Sequence, residues 1–371
     1  MRFSRALQDR PQVSIRRQLR ELNIRALASA GRLRRAKFAA AQTDCILVLT
    51  LHRVVPDNHM QLCRSPRGMV LRESLFVDLL AYLSESTTLL SPDDIVNRQK
   101  SNTRPKVLLT FDDGWLDNLI VAQPHMASIG ARACFFVPTR LTGQRQPFWP
   151  EKLVGLIQEA KRKGCLNRLH RNIHSLTPAA QTPCPIFDRE DNDVEVYLTF
   201  FKQLPPNTQD EAIATLITSL QLHRDHADED ADPMERIMTW DQIRFMVQAG
   251  HKIGSHGCTH AILPLLPLSQ SRMELINSVS DLDDQIPQTR ASARWLSYPN
   301  GSASAFLTCT AQAQGYQYAF TNTAGRWSSS SPAHMVPRIN VWDGTLTDEN
   351  GHFSRKHLEY SLYWKTRHAN Q

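Results

Sequence analysis

Lys106-Val107-Leu108-Leu109-Thr110-Phe111-Asp112-Asp113-Gly114-Trp115 is the stretch on which the fold turns. An apolar run of strand length ends in two adjacent carboxylates and a glycine. Burying the run puts the carboxylates at the strand's C-terminal mouth, where α/β folds keep their chemistry. Gly114 allows a tight turn there, through φ values that a Cβ would penalise. Adjacent acids point in different directions, so they can hold different jobs, for example metal ligand and general base. Taken alone, these residues favour the plainer alternative, a hydrophilic strand-to-loop turn; the rest of the chain decides between the two.

Working outward, Cys45–Leu51 is a second apolar run of strand length, ending in His52-Arg53. Ser74–Leu83 has apolar spacing suited to a helix. After the opening stretch, Leu116–Ser128 predicts a helix that Pro124 must kink or restart, and Ala131–Val137 predicts the next strand. From about 149 to 238 the texture changes: charged and proline-containing stretches alternate with helical patterns, as in a mostly helical insertion. Its acidic run, Asp225–Asp232, reads as solvated surface.

The strand-helix rhythm then returns. Thr239 is an N-cap candidate for a helix that ends at Gly250. A strand follows at His251–Ser255, then a helix at Ser269–Gln285 and a strand at Arg294–Tyr298. The remaining elements are a helix at Ser304–Ala313 and strands at Tyr318–Thr321 and Arg338–Trp342. Such alternation implies parallel strands in a sheet or barrel.

Composition excludes several classes. Apolar content of 41% and charged content of 21% are those of a globular protein, and no segment reaches the roughly 18 to 20 apolar residues of a spanning helix. The seven cysteines are odd in number and scattered, with no Cys-x-x-Cys pair, which argues against a disulfide framework and for a reducing, cytoplasmic location. The net charge of +7 belongs to a tail. Residues 1–40 hold eleven Lys/Arg against Asp9 and Glu21, so the rest of the chain sums to −2. Nucleic acid is therefore not an expected partner. The tail itself reads as a basic helix with Ile15, Leu19, Leu22 and Ala26 on one stripe. It suits peripheral contact with an anionic membrane surface, docking on the body as a solvated extension, or a transit peptide.

The second landmark is His256-x-x-x-His260, directly after a strand. Imidazoles at i and i+4 can meet one ion if the loop makes a single helical turn, and a carboxylate from another strand mouth completes a two-His, one-acid set. One such pair among fourteen histidines is ordinary; paired with Asp-Asp-Gly after another strand, it is not. Cys258, between the two, reads as a packing residue.

Thr110–Gly114 with Ser255–His260, preceded by Gly250–Gly254 and followed by Tyr298-Pro299-Asn300-Gly301, resembles the polysaccharide deacetylase family (NodB homology domain, carbohydrate esterase family 4). The resemblance spans about residues 43–345 without the insertion. It implies an irregular (β/α) barrel of the NodB type for residues 41–345, with 1–40 as an extension and 346–371 as a C-terminal tail. By that resemblance Asp113, His256 and His260 bind a divalent ion, commonly zinc, and Asp112 is the general base that activates water. The oxyanion is held by the metal and the Asn300 backbone N–H. His52, whose strand-end position matches a branch with its acid histidine near the N-terminus, protonates the leaving amine.

Two positions depart from the family pattern. Where many members carry an arginine that orients the catalytic Asp, this chain has Ser297, leaving Arg338 or Arg294 to supply the charge, with Arg338 preferred. The usual late Leu-x-His motif is missing. The implied function is a metal-dependent hydrolase removing an N-acetyl group from an amino sugar of a polysaccharide or glycolipid. O-deacetylation or deformylation by the same site, and a non-catalytic glycan-binding protein, are the alternatives.

Overall fold

The structure, a computed structural model, describes residues 15–97, 103–144, 148–175, 193–204, 206–221, 233–287 and 294–367. Its strands are β1 (Ile46–Leu51), β2 (Arg53–Val55), β3 (Val70–Arg72), β4 (Thr88–Leu90), β5 (Lys106–Phe111), β6 (Ala133–Val137), β7 (Lys252–Ser255), β8 (Arg294–Ser297), β9 (Tyr316–Phe320) and β10 (Ile339–Asn340). Eight of them form one sheet in the order β10-β1-β5-β6-β7-β8-β9, and β4 pairs with β5 ahead of β6. All its strand pairs are parallel. The sheet curls into the irregular half-barrel of NodB-type deacetylases, and an isolated bridge from Phe320 to Val336 leads β9 back toward β10.

Sequence alternation explains how each strand is buried on both faces, as parallel strands are. Leu47, Leu49 and Leu51 join the large cluster under the helices, whereas Ile46 and Val48 face the barrel interior with Phe136, Trp295 and Trp327. In β5, Val107, Leu109 and Phe111 point outward and Leu108 inward, so period-2 geometry puts Thr110 and Asp112 on the interior row. Register does the rest. Leu51 pairs with Phe111, Phe111 with Phe135, Val137 with Ser255, and Ser297 with Phe320. The strand ends are level, so the residues that follow them share one mouth.

The helix after the opening stretch restarts as expected. A π-helical turn, Asn118–Ala122, gives way to a helix Gln123–Ser128 with Pro124 in its first turn, where the missing N–H costs nothing. Thr239 caps Trp240–Gln248 through a capping box with Gln242. The insertion is helical: Trp149–Arg162, Leu166–Ser175, Asp193–Phe201 and Pro206–Ser219 share a core of their own around Leu153, Ile157, Tyr197 and Phe201. The acidic run Asp225–Asp232 lies outside the described residues.

Two readings of the termini change. The extension forms two helices, Ile15–Ser29 and Arg32–Ala41, and it packs on the body by a face other than the apolar stripe read from its sequence. Ile24 and Leu27 are buried, while Leu19 and Leu22 are 59% and 62% exposed. Polar contacts set that rotation: Glu21 meets His357 at 2.7 Å, Arg25 meets Glu349 at 2.8 Å, and Arg20 donates to the Gly344 carbonyl. The extension therefore docks on the body, one of the outcomes its sequence allowed. The segment read as a C-terminal tail also belongs to the body. Leu358, Leu362 and Tyr363 sit in the main core, and Arg326 donates to the Tyr363 carbonyl. Six cysteines are free thiols, and Cys184 lies outside the described residues. Among the described residues no helix is long and apolar enough to cross a membrane.

Candidate metal centre and active site

Asp112 and Asp113 follow β5 into the mouth, both about 1% exposed. Asp112 continues the interior row; Asp113 turns aside with φ of +74°. His260 and Asn300 also hold positive φ, +59° and +56°. Only Gln221 shares that conformation among the described non-glycine residues. Left-handed backbone costs a side chain on the order of 1–3 kcal/mol and persists where surrounding structure over-determines it. The histidine pair reaches its place by this route, not by the helical turn the i,i+4 spacing suggested. Gly257 and His260 both take left-handed φ, and no helix spans 256–260. Glu274 fastens the loop, accepting from the backbone N–H groups of Cys258 and Thr259 and from the Thr259 hydroxyl. Cys258 is buried with its thiol on the Glu274 carbonyl, the packing role its sequence position suggested.

The ligand atoms of Asp113, His256 and His260 lie within 4.8 Å of one another. Asp113 Oδ1 is 3.4 Å from His256 Nε2 and 3.2 Å from His260 Nε2. The Ser297 carbonyl is 2.7 Å from His256 Nδ1, so Nδ1 carries the proton and the Nε2 lone pair faces Asp113. Asp113 Oδ1 is buried without a hydrogen bond in good geometry. Acceptors turned toward one another in a buried space call for a shared cation, and these residues fit a divalent ion. Burial raises the Asp113 pKa, yet the two imidazoles hold it well below the carboxylate range. Burial likewise opposes charge on His256, but Asp112 and Asp113 more than offset it and raise its pKa.

Arg338 reaches Asp112 from just ahead of β10. Its Nη1 donates to Oδ1 at 2.8 Å and its Nη2 to Oδ2 at 2.7 Å, a two-pronged pair. The guanidinium also donates to Ser297 Oγ, Asn322 Oδ1 and the Thr321 carbonyl. Burial raises the Asp112 pKa, but Arg338, His256 and His52 together outweigh it, and the carboxyl stays below its ordinary range. Of the two arginines that could replace the missing one, Arg338 is at the site; Arg294 pairs with Asp283 at the other end of β8. Ser297 stays in the arrangement, donating to Asp112 Oδ2 at 3.1 Å.

His52 follows β1, beside Asp112 in register, 9% exposed, with no hydrogen bond to its Nδ1 among the described residues. Burial lowers its pKa, against the pull of Asp113 and Asp112. The backbone around it is clamped. Asn118 Nδ2 donates to the His52 carbonyl, the Val54 N–H donates to Asp117, and Arg53 pairs with Asp117 and Glu235. Asn300 sits in a turn beyond β8 with its side chain on Ser302. His357, the late histidine, is committed to Glu21, far along the chain, and to its near neighbour Ser354.

Sequence reasoning missed how the insertion is rooted in this site. Both of its ends meet at Trp115, whose indole N–H donates to Asp113 Oδ2. Leu116 N–H donates to the Arg236 carbonyl and Met238 N–H to the Gly114 carbonyl. Phe148 packs on Trp115 at 5.3 Å and on the His260 ring at 4.8 Å. The tryptophan ending the opening stretch was the one available signal.

The model of the polysaccharide deacetylase family matches residues 189–319, which hold His256, His260 and the Tyr298 turn but not Asp112 and Asp113. No curated protein matches the chain. Among solved structures, the Streptococcus pyogenes deacetylase PplD, determined in complex with acetate, is 16% identical, covering 86% of this chain and 98% of that one with a TM-score of 0.52. IcaB from Ammonifex degensii is 18% identical, covering 81% of this chain and 93% of that one with a TM-score of 0.49. At such identity the first of these supports the fold alone. The resemblance read from the motifs, to the polysaccharide deacetylase family of NodB type, is borne out by the family match and by this fold.

Proposed function

We propose that the protein is a metal-dependent hydrolase that removes an N-acetyl group from an amino sugar of a polysaccharide or glycolipid. The observation that carries this reading is the convergence of Asp113 Oδ1 with two imidazole Nε2 atoms beside a second carboxylate locked by Arg338. Family membership supports a deacetylating hydrolase acting on a glycan; metal dependence, zinc and the amide bond are the further steps proposed here.

Asp113, His256 and His260 would hold the ion, and a borderline cation such as zinc suits one carboxylate and two imidazoles. When bound, it would polarise the acyl oxygen and make a nearby water more acidic. The other roles belong to the chain. Asp112, ionised and held by Arg338, accepts the proton of the attacking water. Arg338 takes one lone pair of each Asp112 oxygen, and Ser297 takes a second on Oδ2. The remaining lone pair of Oδ1 is the proton's place. His52 stands on the neighbouring strand. Its lowered pKa makes its protonated form a readier acid, suited to the amine that leaves when an amide breaks. Asn300, with its strained backbone, would be the N–H donor to the developing oxyanion, as the family resemblance implies.

The test is acetate release from N-acetylated amino-sugar oligomers by protein loaded with zinc, cobalt or nickel, with the freed amines counted in parallel. Acetate and amine in equal amounts, abolished by chelation and restored by metal, is the expected result. Protein carrying one metal per chain that releases acetate only from O-acetylated glycans would overturn the N-acetyl assignment.

A further inference from the structure

The N-terminal extension supplies a surface that the reaction does not use. Its two helices, Ile15–Ser29 and Arg32–Ala41, rest on the same short element of the body, Arg355–Glu359. Glu21 meets His357 there at 2.7 Å and Lys37 meets Glu359 at 3.6 Å. Each helix buries one face, with Ile24 and Leu27 from the first and Leu33, Ala36 and Ala40 from the second. The opposite faces look away from the body, and they are not the purely polar faces that surface helices turn to water. We propose that this outer face is a docking surface for an anionic lipid bilayer, its apolar side chains entering the headgroup region and its arginines meeting the lipid phosphates.

Three observations carry the proposal. The first is the spacing of the exposed apolar residues. Leu19, Leu22 and Ala26 recur at i, i+3 and i+7 on one side of the first helix, and all three are exposed. Phe38, 67% exposed, lies one turn from Arg35 on the outer side of the second helix. Single exposed hydrophobics are ordinary, whereas a grouped set on one surface marks a contact. The second is how the stripe is held outward. Glu21 on His357, Arg25 on Glu349 and Arg20 on the Gly344 carbonyl fix the rotation of the first helix. A helix that served only to cover the body would turn Leu19 and Leu22 inward, because apolar burial is the main favourable term. The third is charge. Residues 1–40 sum to +9 and the rest of the chain to −2. Arg32, Arg34 and Arg35 are exposed, and their side chains have no partner among the described residues. Glu21, one of only two acids in the extension, is already taken by His357 and Arg25. Uncompensated cations beside exposed apolar side chains make the pattern of a helix lying in a bilayer interface.

Charge also decides among occupants. A second copy of the chain would set one strongly basic extension against another. A nucleic acid would engage the arginines through its phosphates and leave Leu19, Leu22 and Phe38 in water. An anionic bilayer takes up both kinds of side chain.

Flotation of the full chain with vesicles tests this. Wild-type protein is expected to float with phosphatidylcholine vesicles that contain phosphatidylglycerol, to stay behind with phosphatidylcholine alone, and to bind more weakly as salt is added. Arg32→Gln/Arg34→Gln/Arg35→Gln should lower the affinity for anionic vesicles on the order of a hundredfold, since each basic residue near the surface contributes roughly a factor of five. Leu22→Ser/Phe38→Ser should lower it about tenfold. Both of those side chains already face water, so the thermal midpoint should stay at the wild-type value. Acetate release from a soluble substrate should also match wild type in both variants, so the surface and the reaction fail separately. Wild-type protein that does not float with anionic vesicles would overturn the proposal, and a dimer broken by Leu22→Ser/Phe38→Ser in sedimentation would then assign the face to a second copy. Vesicle binding unaltered in either variant would overturn it too.

Discussion

Replacing Arg338 by methionine tests the centre of the arrangement. The guanidinium is about 1% exposed and gives Asp112 two short charge-assisted bonds, with further bonds to Ser297, Asn322 and Thr321. Removing it leaves a buried carboxylate facing Asp113 with only Ser297 as donor. Breaking a buried pair on one side costs about 3–5 kcal/mol, because the remaining charge has lost its counterpart. Asp112 can relieve part of that by taking a proton. Its pKa, now held below the ordinary range, should rise, and a protonated Asp112 cannot act as base. The sign of the pH effect follows. In the native protein Asp112 contributes stability above its unfolded pKa that is lost as pH falls through the lower folded value; in Arg338→Met that dependence should vanish or reverse. Urea denaturation of Arg338→Met, Asp112→Asn and the double variant, without metal, provides the assay. The single arginine variant should be the least stable of the three, with a coupling of at least ~2 kcal/mol in the cycle. Additivity within ~0.5 kcal/mol would refute the claim that Arg338 exists to hold Asp112.

Asp112→Asn should keep full metal stoichiometry and lose roughly 10²–10⁴-fold in turnover, whereas His256→Ala should lose metal as well as activity, both read by elemental analysis beside acetate release. His52→Ala should slow amide cleavage more than cleavage of an activated ester, whose leaving group needs less protonation; equal losses on both would assign His52 to packing. Glu151, in the first helix of the insertion, is buried with its pKa pushed up to about 8 by desolvation first and by Asp113 second. The folded state therefore keeps a proton that the unfolded chain gives up, and stability should fall as pH rises from the ordinary carboxylate range to about 8. Glu151→Gln should flatten that fall, seen as a thermal midpoint that no longer drops across the window.

The barrel was legible because its strands carry their own evidence. Lys106–Phe111, Ala131–Val137 and Cys45–Leu51 are apolar runs bounded by polar or glycine punctuation, and each holds a strand in the structure, the last two starting at Ala133 and Ile46. Short elements carried no such signal. β2, β3 and β4 have three residues each, too few for a period to show. Which face of the extension packs was not legible for a different reason. Periodicity finds an apolar stripe, but Glu21, Arg20 and Arg25 decide which face turns inward through partners more than three hundred residues away in the chain. At the site, residues were legible where type and position both pointed to chemistry: Asp112, Asp113, His256 and His260. Arg338 was recoverable as a buried arginine opening a strand. Asn322, Asp117 and Phe148 were not, since each is an ordinary residue whose importance comes only from its neighbours in space.

Neighbours in space explain how the strained positions are held. Asp113, His260 and Asn300 each occupy left-handed backbone, and each is fixed by a neighbouring residue. Trp115 holds the far oxygen of Asp113, Glu274 ties the loop that ends at His260, and Gly301 beside Asn300 lies so close to Asn322 that a Cβ would stand 2.4 Å from the Asn322 nitrogen. The strain is therefore spread over β5, the long helix after β7 and the segment after β9. A perturbation of any one of the three supports should loosen its own ligand or donor and leave the barrel intact. The insertion enters this scheme at Trp115, through Phe148 and Ile237 on its two roots. Through Trp115 it thus supports Asp113, the proposed metal ligand.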